Sequence, residues 1–78
     1  MRAKTARVAR NGHTITARYT GGRLADVSID GKLVDALQVC EYDWERGEIV
    51  PGSVDLRGSL REWARESGDD YIRELPYL

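Results

Sequence analysis

From Thr5 to Ile29 apolar and polar residues alternate with period two, the pattern of a sheet buried on one face only. Within TARVARNGHTITAR, Asn11-Gly12 is the pair favoured in type I′ turns, where both central positions need positive φ. A two-residue loop there pairs Arg10 with His13, Val8 with Ile15 and Ala6 with Ala17, all on one face. Arg7, Arg18, Thr14 and Thr16 fall on the opposite, polar face. Gly21-Gly22 marks the next reversal. A three-residue loop, Gly21 to Arg23, pairs Tyr19 with Ala25, Ala17 with Val27 and Ile15 with Ile29, whereas a one-residue slip would oppose Ala17 to Asp26. Two centrings compete at Asp30-Gly31-Lys32. Centring on Asp30-Gly31 brings Asp26 opposite Asp35, a like-charge pair; centring on Gly31-Lys32 pairs Ile29 with Val34 and is the register expected.

Leu33 to Trp44 alternates loosely, with Val34, Ala36, Gln38, Cys40, Tyr42 and Trp44 on one side, while Leu33, Leu37 and Cys40 also fit helical spacing. Strand is the reading adopted, since the segment follows a hairpin turn. Arg46-Gly47 predicts a further turn with Glu48 to Val50 returning, and Pro51-Gly52 ends the sheet. Leu56, Leu60, Trp63, Ala64 and Ser67 then trace the stripe of an amphipathic helix. Its start is either Ser53, with Asp55 in the first turn, or the Ser59-to-Glu62 capping box, which keeps Gly58 outside the helix. Gly68 predicts its stop, with one more short turn from Asp69 to Leu75. The apolar tail, with Tyr71, Ile72, Leu75, Tyr77 and Leu78, is expected to pack across the open side of the core.

These elements predict an α+β fold: an antiparallel β-meander of three to five strands with a C-terminal α-helix packed on one face. Residues 1–78 are read as a single small domain, 1–50 mainly β hairpins and 53–75 mainly helical. The expected core is Val8, Ile15, Ala17, Val27, Ile29, Val34, Leu56, Leu60 and Trp63.

Composition narrows the chemistry. A chain of 78 residues has a thin stability margin. One Cys, Cys40, allows no intrachain disulfide, and one His, His13, leaves an ordinary Cys/His zinc site short of ligands. No stretch approaches the length of a membrane span and no apolar run follows the charged N-terminus, so a cytoplasmic home is expected. Arg outnumbers Lys ten to two, a bias that fits a GC-rich bacterial or viral genome. The net charge of −1 conceals a division. Arg2, Lys4, Arg7, Arg10, Arg18 and Arg23 precede any acid, whereas residues 24–55 hold eight acids against Lys32 and Arg46.

Three groups of residues carry candidate chemistry. The first is VCEYDWERGEIVPG. As an acid–base site, Asp43, Glu45 and Glu48 need environments that separate their pKa values, which a hydrophilic turn does not provide. As a calcium loop, the segment from Asp43 has Glu48 and Val54 where Gly and Glu are required. As a surface for a protein partner, Tyr42, Asp43, Trp44, Glu45, Arg46 and Glu48 combine the residue types of binding hot spots with an acidic rim. Tyr42, Trp44 and Arg46 would share one side of a strand, the competing role for the two rings being closure of the core. The second group is a basic face formed by Arg7, Arg10, Arg18 and Arg23, suited to a phosphate backbone but with no aromatic between its charges. The third is Cys40, which has no base close in sequence and reads as a small buried group. No catalytic residue, metal ligand or cofactor is assigned. The reading is a small non-catalytic binding or regulatory module acting through protein–protein contacts, a second copy being one form of partner. The alternative is a nucleic-acid-binding regulator that uses the basic hairpin.

Overall fold

A computed structural model describes residues 3–78 of the protein. Four strands, β1 (Lys4–Arg10), β2 (His13–Tyr19), β3 (Leu24–Ile29) and β4 (Lys32–Gln38), form an antiparallel meander in chain order. A separate two-stranded hairpin joins β5 (Tyr42–Asp43) to β6 (Glu48–Ile49). The chain then stays helical through α1 (Leu56–Trp63), a π-helical segment (Ala64–Gly68), α2 (Asp69–Glu74) and a 3₁₀ turn (Leu75–Tyr77). The architecture is α+β, with the helical run on one face of the sheet, as expected from the sequence.

The first two registers are those the alternation predicts. Asn11 and Gly12 both have positive φ, as a type I′ turn requires, and Val8 faces Ile15. Ala17 faces Val27 and Ile15 faces Ile29. The third turn differs. Asp30 (φ 51°) and Gly31 (φ 86°) occupy its centre, and Ile29 faces Lys32 rather than Val34. The expected Asp26–Asp35 clash is removed by a β-bulge instead: Ser28 faces Leu33, Val27 faces Asp35, and Val34 is the extra residue. Asp26 consequently faces Ala36. Beyond the bulge the sides exchange, so Leu37 packs against the core while Ala36 and Gln38 are exposed. The strand ends at Gln38, and Val39 and Cys40 are buried together, so the single-sided run from Val34 to Trp44 does not form.

The bulge also turns Asp35 toward the helix, where its Oδ2 accepts a hydrogen bond from Trp63 Nε1 at 2.9 Å. Trp63 stacks on Tyr71 with ring centroids 5.3 Å apart. Burial, and after it the Asp35 carboxylate, push the Tyr71 phenol above its ordinary pKa. The core gathers Ala6, Ile15, Ala17, Tyr19, Ala25, Val27, Ile29, Val39, Leu60, Trp63 and Ala64, with Val8, Val34 and Leu56 half-buried at its margin. Tyr71, Ile72 and Leu75 of the tail pack on it, whereas Tyr77 and Leu78 are exposed.

Neither predicted cap starts the helix. Asp55 accepts from Gly58 N–H at 3.0 Å, and the Ser53 hydroxyl serves the preceding loop. Gly68 does not stop it either: its φ of −57° is ordinary right-handed helix. The helix passes close to β1 and β2 at this point, and a Cβ on residue 68 would lie 3.4 Å from Ile15 Cδ1 and 3.5 Å from Arg10 Cδ. That is ordinary contact. Gly68→Ala is therefore expected to stabilise the protein by up to about 1 kcal/mol in urea unfolding, the helix-propensity difference. Gly58→Ala should gain nothing, because its Cβ would overlap the Asp55 carboxylate and displace the cap. Equal gains from both would contradict this geometry.

Candidate interaction surface

The β2–β3 turn is held from several sides. Gly21 and Gly22 adopt positive φ. The Tyr19 hydroxyl donates to Gly22 O at 2.8 Å, and Val39 N–H donates to Arg23 O at 3.1 Å. The Cys40 thiol, buried and free, lies 3.9 Å from both Gly22 O and Arg23 O. With its backbone fixed in this way, Arg23 reaches across to the β5–β6 hairpin.

That hairpin is built by its own polar groups. Asp43 Oδ1 accepts from the backbone N–H of Glu45 at 3.0 Å and of Arg46 at 3.1 Å, and Gly47 N–H donates to Asp43 O at 2.7 Å. At its base the Ser53 hydroxyl accepts from Glu41 N–H at 3.0 Å and donates to Val50 O at 2.7 Å. Asp43 is thus a turn-former rather than a free carboxylate. Arg46 lies beyond the strand, within 3.9 Å of Asp43 and 3.8 Å of Glu48.

Tyr42 and Trp44 meet edge to face, with centroids 4.7 Å apart and planes at 67°. The Arg23 guanidinium carbon sits 4.8 Å from the Tyr42 centroid and 4.7 Å from the Trp44 centroid, a cation–π contact to both. Trp44 remains 74% exposed, so it does not close the core, and Tyr42 is half-buried. Glu41, Glu45 and Glu48 are exposed around the pair. The product is a small surface of Trp, Tyr and Arg with an acidic rim. Arg23 rather than Arg46 completes it. The β3–β4 pairing of Leu24 with Gln38 carries the signal for this partnership, since it sets residue 23 beside the segment that enters β5.

The four arginines expected on a basic face do not share one. Arg7 and Arg18 lie on the outer sheet face, Arg7 opposite Thr16 and Arg18 between Thr5 and Asp26. Neither forms an ion pair among the described residues. Arg10 points to the helical side, where Nε and one terminal nitrogen grip the two Asp69 oxygens at 2.8 and 3.0 Å. Asn11 adds a 2.7 Å bond to the same carboxylate. The hydrogen bond from Arg10 is the main reason the Asp69 carboxyl titrates below its ordinary range. Asp30 is lowered as well, first by Thr14 N–H and then by His13, whose Nδ1 is 2.6 Å from its Oδ2. Arg2 lies outside the described residues.

No family model, curated protein or solved structure matches this chain. Among the described residues no helix is long and apolar enough to cross a membrane, and no cluster of three or more His, Cys, Asp or Glu is placed to hold a metal ion.

Proposed function

We propose that the protein is a small non-catalytic binding or regulatory module that engages a protein partner through Arg23, Tyr42 and Trp44 with their acidic rim. The observation that carries this reading is the exposure of Trp44 on a pre-formed aromatic–arginine cluster. Trp, Tyr and Arg are the residues that most often dominate binding energy, and two rings already held against a guanidinium lose little rotamer freedom on docking. Glu41, Glu45 and Glu48 favour a partner that brings basic groups to the rim, and they raise its encounter rate more than its affinity.

The alternative, a nucleic-acid-binding regulator, is left with less basic surface than the sequence suggested. Arg10 is taken up by Asp69 and Arg23 by the rings, which leaves Arg7 and Arg18 on a sheet face that also carries Asp26. Titration of labelled DNA and RNA across a salt series discriminates: low-salt binding lost on Arg7→Ala and Arg18→Ala would favour the alternative.

Trp44→Ala should leave stability within about 0.5 kcal/mol of wild type. Partner affinity should fall by about 2 kcal/mol, roughly thirtyfold. The check is a quantitative pull-down from the native host with wild type, Trp44→Ala and Arg7→Ala. Partners held by wild type and Arg7→Ala and lost by Trp44→Ala support the surface; equal recovery by all three removes Trp44 from it.

A further inference from the structure

At the opposite end of the sheet from Trp44, the free edge of β1 and the helical run enclose a groove of 440 Å³ lined by Val8, Ala9, Arg10, Arg61, Ala64 and Arg65. Two independent features mark it. The first is the strand edge. β1 is the outermost strand and pairs only with β2. Arg10 and His13 flank a two-residue turn and so form a hydrogen-bonded pair, which makes Ala9–Thr14 and Arg7–Thr16 alternate, non-hydrogen-bonded pairs. The N–H and C=O groups of Ala9 and Arg7 therefore point away from β2, and no other backbone group of the described residues bonds to them. The second feature is charge. Arg61 and Arg65 are exposed one helical turn apart beside this edge, and neither forms an ion pair among the described residues.

The geometry points to a docking site for an extended acidic peptide that adds a fifth strand to β1 and places a carboxylate against Arg61 and Arg65. A strand edge offers donors and acceptors in alternation. A peptide backbone answers both, whereas a phosphate chain accepts only and would leave the outward carbonyls unpaired. A second copy is disfavoured as occupant, because antiparallel β1–β1 pairing would bring Lys4, Arg7 and Arg10 of two chains together. Val8 and Ala64 offer an apolar wall for the aliphatic stems of the glutamates on that side, while the residues between them face outward. The groove does not depend on the Trp44 surface, so either assignment stands or falls alone.

The test is fluorescence anisotropy with a labelled octapeptide of alternating glutamate and valine, against its lysine–valine counterpart. The glutamate peptide should bind and the lysine peptide should not. Arg61→Glu combined with Arg65→Glu should weaken binding by about tenfold or more, the scale of two partly exposed ion pairs. Ala9→Pro removes one outward N–H without touching the β1–β2 ladder and should weaken it by about fivefold, one backbone hydrogen bond. Arg57→Glu and Trp44→Ala should not change it. Absence of binding, equal binding of both peptides, or indifference to the arginine reversals overturns the proposal. So does tighter binding of a thymidine dodecamer that competes for the groove. Circular dichroism reports folding, and the exposed arginine reversals carry the test if Ala9→Pro does not fold.

Discussion

Trp63→Ala should cost about 4 kcal/mol in urea unfolding followed by circular dichroism, the usual loss for a buried large aromatic. For a chain of 78 residues, whose whole margin is roughly 4 to 12 kcal/mol, that approaches loss of the folded state. The side chain is only 6% exposed, lies among the buried residues under α1, and stacks on Tyr71. Its polar end has a separate role. The bulge at Val34 turns Asp35 inward, and indole Nε1 is the donor that Asp35 Oδ2 meets there. Trp63→Phe keeps most of the apolar contact and leaves that oxygen without its donor, so a smaller loss of about 1 to 2 kcal/mol is expected. Paired with Asp35→Ala, the double-mutant cycle should show coupling near 1 kcal/mol. Strict additivity of the two changes would mean that the indole–carboxylate bond contributes nothing.

Leu60→Ala should cost about 3 kcal/mol, because Leu60 is fully buried and the cavity it leaves is walled by the rigid sheet. Leu33→Ala provides the contrast. Leu33 is 64% exposed, and its removal should change stability by no more than about 0.5 kcal/mol. Hydropathy alone ranks the two leucines equally. Their separation tests on which side of the sheet Leu33 lies: comparable losses at both positions would mean that it faces the helix rather than solvent.

What the sequence made legible follows from where local rules act alone. Asn11-Gly12 and the double glycine at Gly21-Gly22 leave one register each that keeps Ile15, Ala17, Val27 and Ile29 together, and both registers form. At the third turn two local terms conflict. Asp30-Gly31 suits a type I′ turn, but an unbroken ladder from it opposes Asp26 to Asp35; the chain keeps the turn and inserts a residue. A period-two argument has no place for an inserted residue, so the sides expected for Ala36, Leu37 and Gln38 are exchanged, whereas Cys40 is buried as expected. Glycine usually ends helices in the left-handed region, so Gly68 predicts a stop, yet Asp69 is drawn to Arg10 and Asn11 and the helix continues. At the interaction surface, Tyr42, Trp44 and the acids were visible as a cluster along the chain. Their arginine was not, since Arg23 arrives through the pairing of β3 with β4.

The clasp between Arg10 and Asp69 has a consequence for synthesis. The meander is complete once Gln38 has been made, and hairpins of this kind close within microseconds. Leu60, Trp63 and Ala64 are translated later, by on the order of a few seconds at ordinary ribosome speeds. Until those residues are available, the face of the sheet that carries Ile15, Ala17, Val27 and Ile29 has no cover from its own chain. The last helix acts as a lid fitted after the box is built, and Asp69 is the catch that locks it onto the first hairpin.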